Sequence, residues 1–531
     1  MMIDIQSFRK SVDELINPKD YMNNLNENKL SLRKSQHNLI IHSKRDYLLN
    51  HNKNKNYYNI RKEDEFNIIN FDVSFNKINM FLNSNNPDLI SYCLNEICIY
   101  FKSFYPDINE QKKIIQTKFL NTLLCFGYKF IEENKITDLY IILNILNNIQ
   151  YFEKGNIEYI FDLYSDCYFK FYDKCILFAN KLENSECSSK IYKMIILIFN
   201  GLVFNDNSRI DNLNFIFIRN STFLNILNYI QQKTIKDLEE INDIIDLIVF
   251  IFDFIDDDIL NADDIKIIDK CLDILINELF CTDNEEFLIK IYKGIRNISC
   301  LDDDYNVNEK IINRGVTLKI LNMKFNKLNI TSNYLVIIEY SMHILANNLT
   351  ASDVVCQIIY NQNIIDYYND ILDKFDDNQN IVTNILGGIS NISVGSKREV
   401  IKNSNIWKEK NIIKYLNYGD AIKLYYIKIV QYLLKQSEFE FIRFIYNSRI
   451  LKFLIDIFIA CNIGKFICFK ILKLIVYYLK LFKKNEKEIN EYLIIYNQFK
   501  DLFRNCEKII ILREENNVIS EIEKGIACNY D

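Results

Sequence analysis

Residues 381–392 set the pattern. Ile381, Val382, Ile385, Leu386, Ile389 and Ile392 fall on one side of a helix with 3.6 residues per turn. Gly387 and Asn391 lie four apart on another side, although neither residue type favours a helix interior. The same spacing occurs 94 residues earlier in Phe287, Leu288, Ile291, Tyr292, Ile295 and Ile298, with Lys293 and Asn297 in the places of Gly387 and Asn391. The template also fits slots ending at Asn148, Asn200, Phe254, Asn348 and Gln431. Across the seven slots, 37 of 42 inward positions are apolar in a chain that is 49% hydrophobic, which predicts seven related helices.

A second pattern punctuates the first. Ile-x-Asn-x-x-apolar occurs as "IRNSTF" (218–223), "IINRGV" (311–316), "IYNQNI" (359–364), "IKNSNI" (401–406) and "IYNSRI" (445–450). The last four start 48, 42 and 44 residues apart, and the first lies 93 before the second. A helix that ends on an Asn in the left-handed conformation, followed by an apolar residue opening the next helix, gives this pattern. Slots and junctions together predict units of 40–54 residues with two or three helices each, the size of a HEAT or armadillo repeat. One such unit cannot bury its apolar face alone, so stacking is required and a curved superhelix follows. The expected array runs from about residue 72 to 512, with a tail over 513–531.

Composition supports an all-helical body. The 531 residues include only 11 Gly and 3 Pro, so helix breakers are scarce. Asn is abundant at 70 residues, which lowers the information in any single one. The most apolar stretches, such as "IIDLIVFIFDFI" (244–255), are short and carry acids, which suits buried helices better than membrane spans. The N-terminus shows no secretory signal. Fourteen Cys, among them Cys93, Cys98, Cys167, Cys271 and Cys468, form no CxxC pair and read as reduced residues of a cytosolic or nuclear protein.

Charge is divided unevenly. Residues 1–62 hold 12 Lys/Arg against 6 Asp/Glu, whereas the whole chain has a net charge of −6. A basic arm is thus joined to an acidic body, and the arm is expected to meet an acidic surface on a partner or on its own body. The boundary falls near residues 50–66, where "NHNKNKNYYNIRKEDEF" is polar and aperiodic. In a solenoid of this kind the residues beside the apolar stripe line one face. Five of the seven slots hold Asn there: Asn148, Asn200, Asn297, Asn348 and Asn391. An amide both donates and accepts, so a ladder of them can hold the backbone of an extended peptide. Acidic clusters at 256–258 and 302–304 follow two slots and make a basic peptide the expected ligand.

At these residues the chain resembles importin-α, the armadillo-repeat adaptor of nuclear import. "GGISNISVG" (387–395) resembles the family's Trp-x-x-x-Asn helix with its following Gly turn, and "YKGIRNI" (292–298) and "ILANNLT" (344–350) resemble neighbouring copies. "INRGV" (312–316) is similar to the helix-to-helix junction, and "INMFLNSNNPDLISYCLNEICIYFKSF" (78–104) to the first repeat. In "LRKSQHNLIIHSKR" (32–45), Leu32, Arg33 and Lys34 match the Leu-Arg-Lys of the importin-β-binding segment, and Lys44 and Arg45 fall in its downstream basic triplet.

The resemblance implies a right-handed superhelical armadillo solenoid with a basic N-terminal arm over residues 1–62. It implies that basic nuclear localisation signals of cargo bind a concave groove lined by Asn148, Asn200, Phe250, Asn297, Asn348 and Asn391. It further implies importin-β binding through the arm, an export receptor for recycling, and residence in cytoplasm and nucleus. The arm, when free, would occupy the groove itself. The family's groove Trp, four before each Asn, is absent; those positions read Asn144, Ile196, Phe250, Lys293, Ile344, Gly387 and Ile427. Phe250 is the one ring there, and Lys293 opposes a basic ligand.

Other function classes find little support in the sequence. No glycine-rich phosphate loop, Cys/His metal cluster or Ser-His-Asp arrangement stands out, so neither catalysis nor a cofactor is expected. The body holds one His, His343, which reads as a helix-face residue. An acidic body argues against nucleic acid, whose binding is driven by Lys and Arg contacts to phosphate. The alternative to an import adaptor is an armadillo or HEAT scaffold without transport function.

Overall fold

The structure, a computed structural model, describes residues 87–459 except 104–107, 117–118, 151, 153, 183–184, 206–218, 220, 233–237, 254–263, 302–305, 325–330, 396–397 and 436–438, together with Ile471 and Leu474. The arm, Phe254, both acidic clusters and the C-terminal tail lie outside the described residues. The described residues form helices and no strand. None of these helices is long and apolar enough to cross a membrane.

The chain divides after Leu275 into two compact units. Unit 1 holds α1 (Pro87–Ser103), α2 (Ile108–Gln116), α3 (Phe119–Glu132), α4 (Ile136–Ile149), α5 (Lys154–Ala179), α6 (Ser185–Asn205), α7 (Ser221–Gln232) and α8 (Leu238–Asp253). Helix α9 (Asp264–Cys281) runs across the division. Unit 2 begins with α10 (Glu285–Ser299), then α11 (Val307–Asn313), α12 (Val316–Leu321) and α13 (Ser332–Asn348). It continues with α14 (Asp353–Asn361), α15 (Ile364–Phe375), α16 (Gln379–Val394), α17 (Glu409–Leu416), α18 (Asp420–Lys435), α19 (Phe439–Asn447) and α20 (Ile450–Ile459).

Two short helices and one long helix make a repeat, as in α11–α12–α13 and α14–α15–α16. In unit 2 the third helices lie side by side in the order α10, α13, α16, α18. In unit 1 the same layer runs α1, α4, α6, α8, backed by α3, α5 and α7. Apolar stripes on these helices face the backing layer: Ile381, Val382, Ile385, Leu386, Ile389 and Ile392 of α16 are all fully buried. Burying each such side chain contributes about 1.5–3 kcal/mol, so the stripe dictates which side of the helix turns inward. Three third helices are also fixed at their start. The side chains of Asn284, Thr331 and Asn378 accept hydrogen bonds from the N–H groups of Phe287, Tyr334 and Ile381, satisfying donors that the first turn leaves open.

Four of the five junctions fall where the Asn pattern places them, but their geometry differs from expectation; Ile218 and Asn220 of the first lie outside the described residues. Asn313, Asn361 and Asn447 are the last helical residues of α11, α14 and α19. The left-handed residue comes two positions later: Gly315 at φ 81°, Asn363 at 55° and Arg449 at 57°. Only two residues separate the helices at each of these junctions, and the one directly before the new helix takes the left-handed conformation that breaks the helical path. At 401–406 the pattern forms two 3-10 turns, Arg398–Asn403 and Asn405–Trp407. There the Trp407 indole donates to the Ile401 carbonyl at 2.9 Å and packs edge-on against Tyr426 and Phe444.

Candidate protein-interaction face

The third helices expose one narrow stripe. On α16 it comprises Asn380, Thr383, Asn391 and Val394, with Asn384 beside it; Gly387 lies on the same line. A Cβ at Gly387 would stand 3.4 Å from the hydroxyl end of Tyr425 on α18, so a neighbouring ring covers this glycine. Burial fixes the equivalent stripe on each other helix. On α13 the buried set is Ile337, Ile338, Ser341, Met342, Leu345 and Asn348, which matches the α16 set with a shift of 44. Asn347, one residue before the expected Asn348, therefore stands in the place of Asn391. On α6 the buried set is Ile191, Tyr192, Ile195, Ile196, Phe199 and Leu202, which puts Gly201 there in place of Asn200. On α18, Ile422, Lys423, Tyr426, Ile427, Val430 and Leu433 are buried, which puts Tyr432 there in place of Gln431.

The expected site residues divide by exposure. Asn148 and Asn391 are half-exposed. Asn200, Asn297 and Asn348 are buried, at 6%, 4% and 0% exposure, and Phe250 is buried at 7%. Several amides tie one third helix to the next. Asn391 Nδ2 donates to the Ala346 carbonyl at 2.7 Å, and Asn384 Nδ2 to the Glu339 carbonyl at 3.0 Å. Asn200 Nδ2 donates to the Asp243 carbonyl at 2.8 Å, and Gln150 Nε2 to the Leu197 carbonyl at 3.1 Å. Asn348 Nδ2 donates to Thr317 Oγ1 at 2.8 Å within its own repeat. On α4, Asn144 and Asn148 instead donate to carbonyls of their own helix, Tyr140 and Asn144. An amide that pins a neighbouring helix with one N–H keeps its second N–H and its carbonyl, which a half-exposed Asn can turn outward.

Around α10 and α13 a polar cluster forms that the Asn pattern alone does not reveal. Arg296 Nε donates to His343 Nδ1 at 3.3 Å, and its Nη1 to Asn297 Oδ1 at 3.0 Å. The guanidinium also lies 5.8 Å from the Tyr340 ring centre. Because Arg can only donate, Nδ1 of His343 must accept, which leaves the ring proton on Nε2, 3.7 Å from Cys300 Sγ. Asn347 Nδ2 donates to Ser299 Oγ at 3.0 Å. The signal that could have found Asn347 is the doublet Asn347-Asn348, in which either residue can occupy the exposed phase.

Charges on the two layers differ. Helix α8 carries Glu239, Glu240, Asp243, Asp246 and Asp253 and no cation. Asp243 and Asp246 are half-exposed at the positions equivalent to Asn380 and Thr383. In unit 2 the later turns carry Lys293, Arg296, Lys428 and Lys435. Burial pushes the Glu339 carboxyl above the usual carboxylate range, and it pushes the Lys428 ammonium below the usual lysine range. Among the described residues no group of three or more His, Cys, Asp or Glu could hold a metal ion.

No family model matches the sequence, and no curated protein matches it. Solved structures do. A chain from the structure titled for a phosphorylation switch controlling the interaction between cadherin and beta-catenin is similar with a TM-score of 0.51 and 10% identity, over 78% of this chain and 76% of that one. A designed armadillo repeat protein is similar over 48% of this chain and 98% of its own, with a TM-score of 0.38 and 15% identity. The first likeness concerns fold alone, and it agrees with the three-helix repeats: the chain has the all-α fold of an armadillo-repeat solenoid.

Proposed function

We propose that the chain is a protein-interaction scaffold whose third-helix faces hold extended peptides, and that it serves as a nuclear import adaptor. In this reading basic signal segments of cargo lie on unit 1, importin-β binds the N-terminal arm, and the protein works between cytoplasm and nucleus. The observation that carries the basic ligand is α8, a third helix with five acids and no cation, two of whose carboxylates stand on the exposed stripe. Such a surface attracts Lys and Arg side chains before contact is made. The half-exposed amides Asn144 and Asn148 lie on α4 in the same layer and suit a peptide backbone. The arm, with Leu32, Arg33, Lys34, Lys44 and Arg45, would compete for the same face. Asn200 then acts from beneath the face by tying α6 to α8, while Asn297 and Asn348 are buried within their own repeats.

A second reading, a scaffold without import function, is favoured by Lys293, Arg296 and Lys428 on unit 2, which oppose a basic peptide there. The test uses the full chain and a fluorescent lysine-rich decapeptide. Binding is expected to weaken several-fold in D243N/D246N and to tighten in R33Q/K34Q/K44Q/R45Q. Absence of binding by every form would leave the scaffold reading alone.

A further inference from the structure

The cations of unit 2 run against the charge of the chain. Its four third helices among the described residues hold Glu285, Glu286, Glu339 and Asp420, all in the first halves of their helices. The second halves carry the cations Lys293, Arg296, Lys428 and Lys435 and no carboxylate. Between the basic ends of this band lie Asn391 and Val394 on α16, the latter 57% exposed. We propose that this band of unit 2 is a second docking surface, for an extended acidic segment of a partner protein with an apolar residue near its centre. The proposal deepens the scaffold reading and rests on its third-helix face, but on unit 2 alone.

The two basic ends are prepared differently. At the first end, Arg296 is held by His343, Asn297 and Tyr340 and also acts on the half-buried Glu339, so its remaining N–H groups meet a further carboxylate with little ordering left to do. At the other end, Lys428 is half-buried, 5.9 Å from the Tyr432 ring centre, and no carboxylate lies within ion-pair distance among the described residues. A half-buried ammonium without a counter-ion is costly, and the lowered pKa of Lys428 follows from that burial. An incoming carboxylate would offset the cost. Neighbouring helices pack about 8–10 Å apart, so α10 and α18, three spacings apart, are separated by roughly 24–30 Å. An extended chain covers about 3.3 Å per residue, so the segment needs about eight residues between its acidic ends. Its backbone would meet the amides of Asn347 and Asn391, and its central side chain Val394. Nucleic acid fits less well, because the chain is net negative and the band lacks a continuous run of cations.

The experiment titrates full-length protein with three fluorescent probes. These are a decapeptide with Glu pairs at both ends and a central Leu, its counterpart with Lys pairs, and a single-stranded RNA decamer. The Glu-ended peptide is expected to bind. R296A and K428M should each weaken it about tenfold or more, and V394E, at an exposed position that leaves the core untouched, should do the same. The Lys-ended peptide should not weaken in these variants, since its proposed site lies on unit 1, so failure of that reading is seen separately. No binding of the Glu-ended peptide, equal binding by wild type and R296A/K428M, or RNA binding in its place would overturn the proposal.

Discussion

Gly388 lies against Tyr368 of α15, and this contact yields a quantitative test of the packing. A Cβ at 388 would stand 2.3 Å from the Tyr368 hydroxyl oxygen and 3.0 Å from Cζ. Tyr368 is fully buried, so its ring cannot swing into solvent, and its hydroxyl finds no hydrogen-bond partner among the described residues. Replacing Gly by Ala inside a helix gains about 1 kcal/mol from propensity. Overpacking a tight core costs about 1–3 kcal/mol, and a 2.3 Å approach is severe enough to sit at the upper end of that range. Gly388→Ala is therefore expected to destabilise by about 1–2 kcal/mol. Tyr368→Phe removes the clashing oxygen and a buried hydroxyl that costs about 1–3 kcal/mol while unpaired, so it should stabilise. In the double variant the added methyl group gains the vacated space, and the coupling between the two changes should be about 1 kcal/mol or more, as for touching residues. Urea unfolding of the four proteins, followed by circular dichroism and checked for constant m-values, measures it. If Gly388→Ala costs the same in the Tyr368→Phe background as in the native chain, the clash is not what keeps glycine there.

Three further outcomes test burial. In the native chain iodoacetamide should label Cys125, Cys167, Cys281 and Cys300 and spare Cys93, Cys98, Cys175, Cys271 and Cys356, which mass spectrometry before and after unfolding can read; early labelling of Cys271 would contradict its place in the core. Asn348→Asp should be strongly destabilising at pH 7 and recover toward lower pH, because a fully buried carboxyl binds its proton more tightly folded than unfolded; a pH-independent melting temperature would rule this out. Burial raises the phenol pKa of Tyr192 to about 12 and pushes Tyr172 and Tyr426 up as well. Above pH 10 the unfolded chain loses those protons first, so stability should fall as pH rises past 10, with tyrosinate absorbance appearing together with unfolding.

The repeat could be read from the chain because amphipathic periodicity is a local property. The stripe from Ile381 to Ile392 and its counterpart from Phe287 to Ile298 name the inward side of α16 and α10 without any knowledge of neighbours. The junction Asn residues likewise mark where short helices end. At α6 the sequence even held the finer answer: the phase ending at Leu202 has six apolar residues of six, against four for the phase anchored on Asn200.

Elsewhere the rotation of a helix was undecided by its own residues. At α13 the phases that expose Asn347 and Asn348 each have four apolar residues of six, and at α18 the phase that buries Lys423 scores five against six for its rival. A helix enclosed on several sides is apolar nearly all round, so a one-residue shift, about 100° of rotation, changes its own pattern very little. Neighbours make the choice: Thr317 takes the amide of Asn348, and the Tyr418 carbonyl and Asp420 take the ammonium of Lys423. The same holds for Gly387 under Tyr425 and for Arg296 against His343, which are separated along the chain and meet only when the helices stack. Sequence determined the helices and their repeat because burial of apolar stripes is nearly additive and local. Tertiary structure decided which amides are enclosed and which charges face outward, because hydrogen bonds and ion pairs exist only between particular atoms at particular distances.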